Sequence, residues 1–221
     1  IARLFYLANR HPRSPLETRA RRSRLALAVR DPFCDRENAR LSRAVVAPRP
    51  TPPLAAAVDA VRLFLGELDL PRDQAAIVEF NAGADLLQPL TGRGSDLVEA
   101  LRRIRVAPTT RIDLGIQVAR EELGSARRGV GNMPVMIVLT DGRANPVGPA
   151  AAVREAAAAR DAGVTVFTIG LGEDLDLDAL RQMASKPEYF YRAPDGEDLM
   201  AIYKAIAVAI PCPREHYWGR R

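Results

Sequence analysis

The chain has 221 residues, 48% of them hydrophobic, and a formal net charge of +5. That length holds one ordinary domain with a sizeable core, and the composition excludes a disordered or collagen-like chain. Cys34 and Cys212 are the only cysteines and His11 and His216 the only histidines, which excludes a disulfide framework and a zinc cluster of the usual spacing; no apolar run approaches the ~20 residues that span a bilayer.

The charge is unevenly spread. Residues 1–53 hold twelve arginines against four acids, a surplus of eight, while residues 54–221 hold twenty basic residues against twenty-three acids, a deficit of three. The basicity therefore belongs to an N-terminal arm and says little about what the folded body binds. Arginine outnumbers lysine thirty to two, which reads as GC-rich bacterial coding bias and not as selection for phosphate recognition. The chain opens on Ile1 without a methionine, the expectation for a fragment of a longer protein.

Residues 1–53 carry seven prolines and two short apolar patches, Leu25–Val29 and Ala44–Ala47. From Pro53 the punctuation becomes regular. Leu54, Val58, Val61, Leu65 and Leu68 recur on one face of a helix opened by Pro52-Pro53. Ala75–Phe80 predicts a strand, and Asn81-Ala-Gly83 turns it into a second, antiparallel one from Ala84 to Leu87. Ser95 opens a helix with Leu97 and Leu101 inward. After Pro108-Thr-Thr110 another helix places Ile112, Ile116, Ala119 and Leu123 on one face, with Thr110 as a candidate cap. Pro134-Val-Met-Ile-Val-Leu-Thr-Asp141-Gly142 is a continuous apolar run ending on a carboxylate, the pattern of a strand buried on both faces of a parallel sheet. An alanine-rich helix stops at Gly163, and Val164–Ile169 predicts the next strand. Asp176 or Asp178 caps a helix with Leu180 and Met183. Tyr189–Tyr191 predicts a short strand, and Asp195 caps a last helix ending before Pro211-Cys-Pro213. Strands alternating with helices predict a doubly wound α/β fold, a mostly parallel sheet with helices on both faces. In such sheets ligands bind at the carboxyl ends of the strands, so Asp141 belongs at a functional rim.

Four pieces in this order resemble a von Willebrand factor type A domain of the bacterial kind. They are the helix Leu54–Leu70 running into Gln74–Asn81; the hairpin followed by Gln88-Pro-Leu-Thr91; Thr110-Arg-Ile-Asp-Leu-Gly-Ile116; and Val138-Leu-Thr-Asp-Gly-Arg-Ala-Asn145. The resemblance covers residues 53–213 and leaves 1–52 as a basic arm and 214–221 as a tail. It implies a protein-interaction or adhesion module whose rim carries a metal-ion-dependent adhesion site for Mg²⁺ or Mn²⁺. Thr110 and Asp141 are the ligands it implies, Gly142 and Arg143 the neighbouring partner-binding rim, and an acidic residue of a protein ligand the group that completes the ion's shell. It also implies a bacterial cell-surface or extracytoplasmic setting within a longer protein, over a cytoplasmic one.

One part of the pattern is missing. The family's Asp-x-Ser-x-Ser loop occurs nowhere in the chain, so the site is read as degenerate. The candidates for the first strand are Arg24–Asp31, which would bring Asp31 to the metal, and Ser42–Ala47. Arg/Pro-rich sequence abutting a clean domain has the character of a shifted reading frame or a truncated remnant. Two other functional classes fit weaker signals. Acids at a sheet rim can hold two metals for phosphodiester cleavage, with Asp113 and Glu79 as the available neighbours of Asp141. The basic arm could bind nucleic acid. No Ser/His/Asp set, nucleophile elbow or phosphate-cradling loop is present, so neither a catalyst nor a small-molecule substrate is expected.

Overall fold

The computed structural model describes residues 4–10, 53–70, 72–105 and 107–210. Six strands form one sheet: β1 (Leu4–Arg10), β2 (Gln74–Phe80), β3 (Ala84–Thr91), β4 (Met133–Thr140), β5 (Thr165–Leu171) and β6 (Phe190–Ala193), in the spatial order β3-β2-β1-β4-β5-β6. The helices are α1 (Pro53–Gly66), α2 (Gly94–Leu101), α3 (Ile112–Leu123), α4 (Pro149–Asp161), α5 (Leu177–Met183) and α6 (Gly196–Ala209), with a 3₁₀ turn at Pro187–Tyr189. β4, β5 and β6 pair in parallel, whereas β1 is antiparallel to both β2 and β4, and β3 is antiparallel to β2. Four strands, β2, β4, β5 and β6, thus run one way, and β1 and β3 run against them.

Alternation along the strands builds two cores, because successive side chains point to opposite faces. Ala75, Ile77, Val135, Ile137, Leu139, Phe167 and Ile169 pack under α1, α2 and α6. Ala76, Val78, Phe80, Met136, Val138 and Val166 pack under α3, α4 and α5. The doubly wound layout expected from the alternation of elements is the one observed.

The central position departs from expectation. Leu4–Arg10, which carries none of the elements expected from the sequence, fills the slot between β2 and β4. Part of the segment read as an arm therefore stands inside the sheet. The two first-strand candidates, Arg24–Asp31 and Ser42–Ala47, lie outside the described residues, as do Asp31 and the tail 214–221. Smaller differences have local causes. The first helix stops at Gly66 instead of reaching Leu70. Ser95 is inside the helix it was expected to open, which starts at Gly94 behind Arg93. Asp176 and Asp195 are true caps, accepting hydrogen bonds from the backbone N–H groups of Ala179 (3.0 Å) and Glu197 (2.9 Å). Gly163 at φ +82° ends α4 in the left-handed conformation that disfavours other residues.

α1 and α6 approach closely on one face. The Phe64 and Tyr203 rings meet at a 53° tilt with centroids 5.6 Å apart, and burial pushes the Tyr203 phenol above its ordinary pKa. A Cβ at Gly196, the first residue of α6, would collide with Cβ of Ala56. Overpacking of this kind costs about 1–3 kcal/mol. Gly196→Ala is accordingly expected to lower stability by that amount in urea denaturation, and Ala56→Gly in the same chain to recover part of it.

A buried carboxylate anchors the other face. Glu122 on α3 accepts the Leu90 backbone N–H at 2.8 Å and two guanidinium N–H groups of Arg127, at 2.9 and 2.5 Å, while its side chain is 1% exposed. Burial pushes its pKa up, but the Arg127 and Leu90 hydrogen bonds outweigh it and hold the group below the usual carboxylate range. With the folded pKa below the unfolded one, this stabilisation is present above the unfolded value and disappears as pH falls through the folded value. Glu122→Gln should cost about 1–3 kcal/mol at neutral pH. The gap between variant and wild type in denaturant midpoint should close on acidification below pH ~4.

Candidate functional site: the rim at the carboxyl end of β4

Three loops meet where β4 ends. Thr140, the last residue of the strand, is buried; its hydroxyl donates to the Gly142 carbonyl at 3.1 Å and lies 3.4 Å from the Gly142 N–H. That turn places Asp141 at the rim, half-buried and already engaged in a polar interaction. Thr110, fully buried just before α3, forms an isolated antiparallel bridge with Asn145 of the β4–α4 loop, with two backbone hydrogen bonds of 3.1 Å. The Asn145 side-chain amide also donates to Thr110 Oγ1 at 3.0 Å and to the Arg143 carbonyl at 3.2 Å. The third loop is the β2–β3 turn, whose Asn81 carbonyl accepts the Arg111 N–H at 2.8 Å. Thr110 and Asp141, far apart in sequence, therefore belong to one knitted rim.

Thr110 does not cap α3, contrary to the expectation. Arg111 occupies the N-cap position without a side-chain cap, and the Thr110 hydroxyl goes to Asn145. Asp113 sits in the first turn, as its sequence position suggests, but its carboxylate is taken by Arg111 through contacts of 2.9 and 2.7 Å. The Arg111 hydrogen bond and charge pull the Asp113 pKa below the usual range, against the upward push of burial. Glu79 is buried within β2, accepts the Arg105 backbone N–H, and faces Asp85 across the β2–β3 pair. Burial raises its pKa, the Arg105 N–H lowers it, and the Asp85 charge raises it further. Both acids are thus engaged by neighbouring groups of their own, Asp113 by Arg111 and Glu79 by the Arg105 backbone. Gly142 is half-buried in the turn, and Arg143 is exposed, its Nε 3.0 Å from Asp174 Oδ1 on the loop after β5.

Mg²⁺ and Mn²⁺ take six oxygen ligands, several of them carboxylate or water. Among the described residues no group of three or more His, Cys, Asp or Glu side chains could hold an ion. The rim supplies Asp141 and the Thr110 hydroxyl, the latter already receiving an amide N–H. Next to it, Thr109 Oγ1 is buried with no hydrogen-bond partner among the described residues, the one spare hydroxyl of the site. The remaining positions of an octahedral shell would fall to water or to other oxygens. The direction of β1 bears on this. Leu4 pairs with Glu79 and Leu139 near the rim, whereas Arg10 pairs with Met133 at the far edge, so the chain leaves β1 away from the site.

Asn145, Arg111 and Asn81 are the rim residues that pattern reading passed over. The Asn145-Pro146 dipeptide, which has a cis peptide bond, was the available signal, since Asn-Pro marks a turn. Its partner across the rim was not readable from spacing.

A rim of this kind at the carboxyl end of a three-layer sheet defines an α/β binding domain. The von Willebrand factor type A domain model matches residues 52–205, and the chain belongs to that family. Solved structures share the fold. Proximal thread matrix protein 1 from the mussel byssus matches with TM-score 0.64 at 23% identity, covering 71% of this chain and 43% of that one. A form of the same protein with a zinc-occupied MIDAS motif matches with TM-score 0.63, at the same identity and coverage. The vWF domain of the type V pili tip protein Mfa5 from Porphyromonas gingivalis matches with TM-score 0.62 at 14% identity, covering 71% of this chain and 88% of that one. The chain spans less than half the length of the mussel protein chains it matches.

If the Asn145 amide is what ties the rim together, its removal leaves a buried hydroxyl and a loop carbonyl without their donor. Asn145→Ala is expected to cost about 1–3 kcal/mol. Faster hydrogen exchange at the Thr110 and Asn145 amides, with β5 and β6 unchanged, would report the loss locally.

Proposed function

We propose that this domain binds a protein partner at the rim carrying Thr110, Asp141, Gly142 and Arg143, and that its divalent-metal site is degenerate. The observation that carries this reading is the Thr110–Asn145 bridge, which ties Thr110 to the loop that follows β4 and begins with Asp141. Thr110 and Asp141 are the remaining members of the ligand set, and Asn145 directs an N–H at the Thr110 oxygen that a cation would need. An acidic partner residue is met instead by Arg143. Its ion pair with Asp174 is open to water on both sides, with side chains 62% and 82% exposed. Exposed pairs contribute little, so a partner carboxylate displaces Asp174 at small cost. A bacterial cell-surface or extracytoplasmic setting, within a longer protein, fits this role; the pilus-tip neighbour is of that kind. Among the described residues no helix is long and apolar enough to cross a membrane.

Two measurements test the reading. A resident ion stabilises by mass action, by about 2.7 kcal/mol at a hundred times its dissociation constant. Thermal denaturation with millimolar Mg²⁺ or Mn²⁺ should therefore leave the melting temperature unchanged, and a rise that Asp141→Ala abolishes would show a working metal site. For the rim, affinity capture should recover partners with wild type and with the remote variant Arg62→Glu, in the presence of EDTA, and lose them with Arg143→Glu. Equal recovery by all three would remove the rim from the function.

A further inference from the structure

We infer that the slot between β2 and β4 accepts an extended strand from a second copy of this chain, with Leu4–Arg10 as the exchanged element. β1 is held in the sheet by its two ladders, Leu4 to Asn9 along β2 and Leu4 to Arg10 along β4. Its direction sets it apart. A strand linked to the next by a crossover helix runs parallel to it, and the short connection ties that strand to its own domain. β1 is antiparallel to β4 and ends at the far edge, opposite Met133. α1 starts at the other end: Ala56 lies against Gly196, which follows the carboxyl end of β6. Residues 11–52 make that return, and forty-two residues have a contour of up to about 150 Å. The strand spans only about 23 Å. Covalent geometry thus leaves β1 able to enter the slot of a neighbouring copy.

The slot also cannot stand open. Ala76, Ile77, Val78 and Val135 to Leu139 are at most 1% exposed, and without β1 both central edges would be unpaired. Antiparallel addition of an extended segment satisfies such edges through backbone hydrogen bonds, whichever chain supplies it. In-chain closure is favoured by an effective concentration in the millimolar range for short linkers, which falls as the linker lengthens. A forty-two-residue connection therefore lets the second copy compete as protein concentration rises, giving a dimer by reciprocal exchange of one element.

Ala8 and Ala75 are opposite one another across β1 and β2, and Ala8 and Val135 across β1 and β4. In the full chain with Cys34→Ser and Cys212→Ser, one preparation carries Ala8→Cys and another Ala75→Cys. Mixed, refolded together and oxidised, they should give a disulfide-linked dimer that increases at least severalfold over a tenfold rise in concentration. Adding Leu7→Pro, which removes a ladder N–H, should abolish it. Ala8→Cys mixed with Val135→Cys repeats the test on the other ladder. Placing both cysteines in one chain should give the in-chain cross-link at high dilution. In-chain cross-linking at every concentration with no mixed dimer would overturn exchange. Absence of both cross-links would overturn the β1 pairing on which it rests.

Discussion

A strand dry on both faces imposes the rest of this molecule. Val135 through Leu139 of β4 have essentially no contact with water. Their backbone groups must then be paired along both edges, and their side chains must be covered from above and below. Those two demands produce the three layers: β1 and β5 on the edges, α1, α2 and α6 on one face, α3, α4 and α5 on the other. They also fix where chemistry can occur. The first residue after Thr140 that can hold a charge is Asp141, at the place where the strand leaves the dry interior.

At that rim, polar groups are consumed largely by holding loops together. The Thr110 hydroxyl takes an amide from Asn145, Asp113 is neutralised by Arg111, and Glu79 serves the Arg105 backbone. Each of these pairings satisfies a group that would otherwise be costly to bury. The exposed charges that are left, Arg143 and Asp174, face water. On the reading proposed above, the site presents a cationic side chain on a rigid frame. Rigidity comes from the buried bonds, and exchangeability from the exposed pair.

The centre of the sheet shows the same principle in backbone terms. Two unpaired edges flanking a dry strand demand a third strand, and the demand is not selective for direction. An antiparallel segment satisfies the hydrogen bonds as well as a parallel one, provided its connection is long enough. The long basic stretch before α1 meets that condition.

Periodicity and punctuation alone determined the class of fold, the hairpin, the order of helices from Pro53 onward, the cap at Asp195, and the position of Asp141 at a strand end. These are local properties: an apolar face repeats every 3.6 or 2 residues, and a cap needs only its own first turn. The identity of the central strand was not local. Leu4–Ala8 is a five-residue apolar run among prolines and arginines, and nothing within it says which edges it will meet. The same holds for Thr110, whose neighbours suggested a cap, while its partner Asn145 lies thirty-five residues away. Only the tertiary structure decided these, because pairing across a sheet and contact between loops depend on which chain segments folding brings together, and spacing along the chain does not encode that.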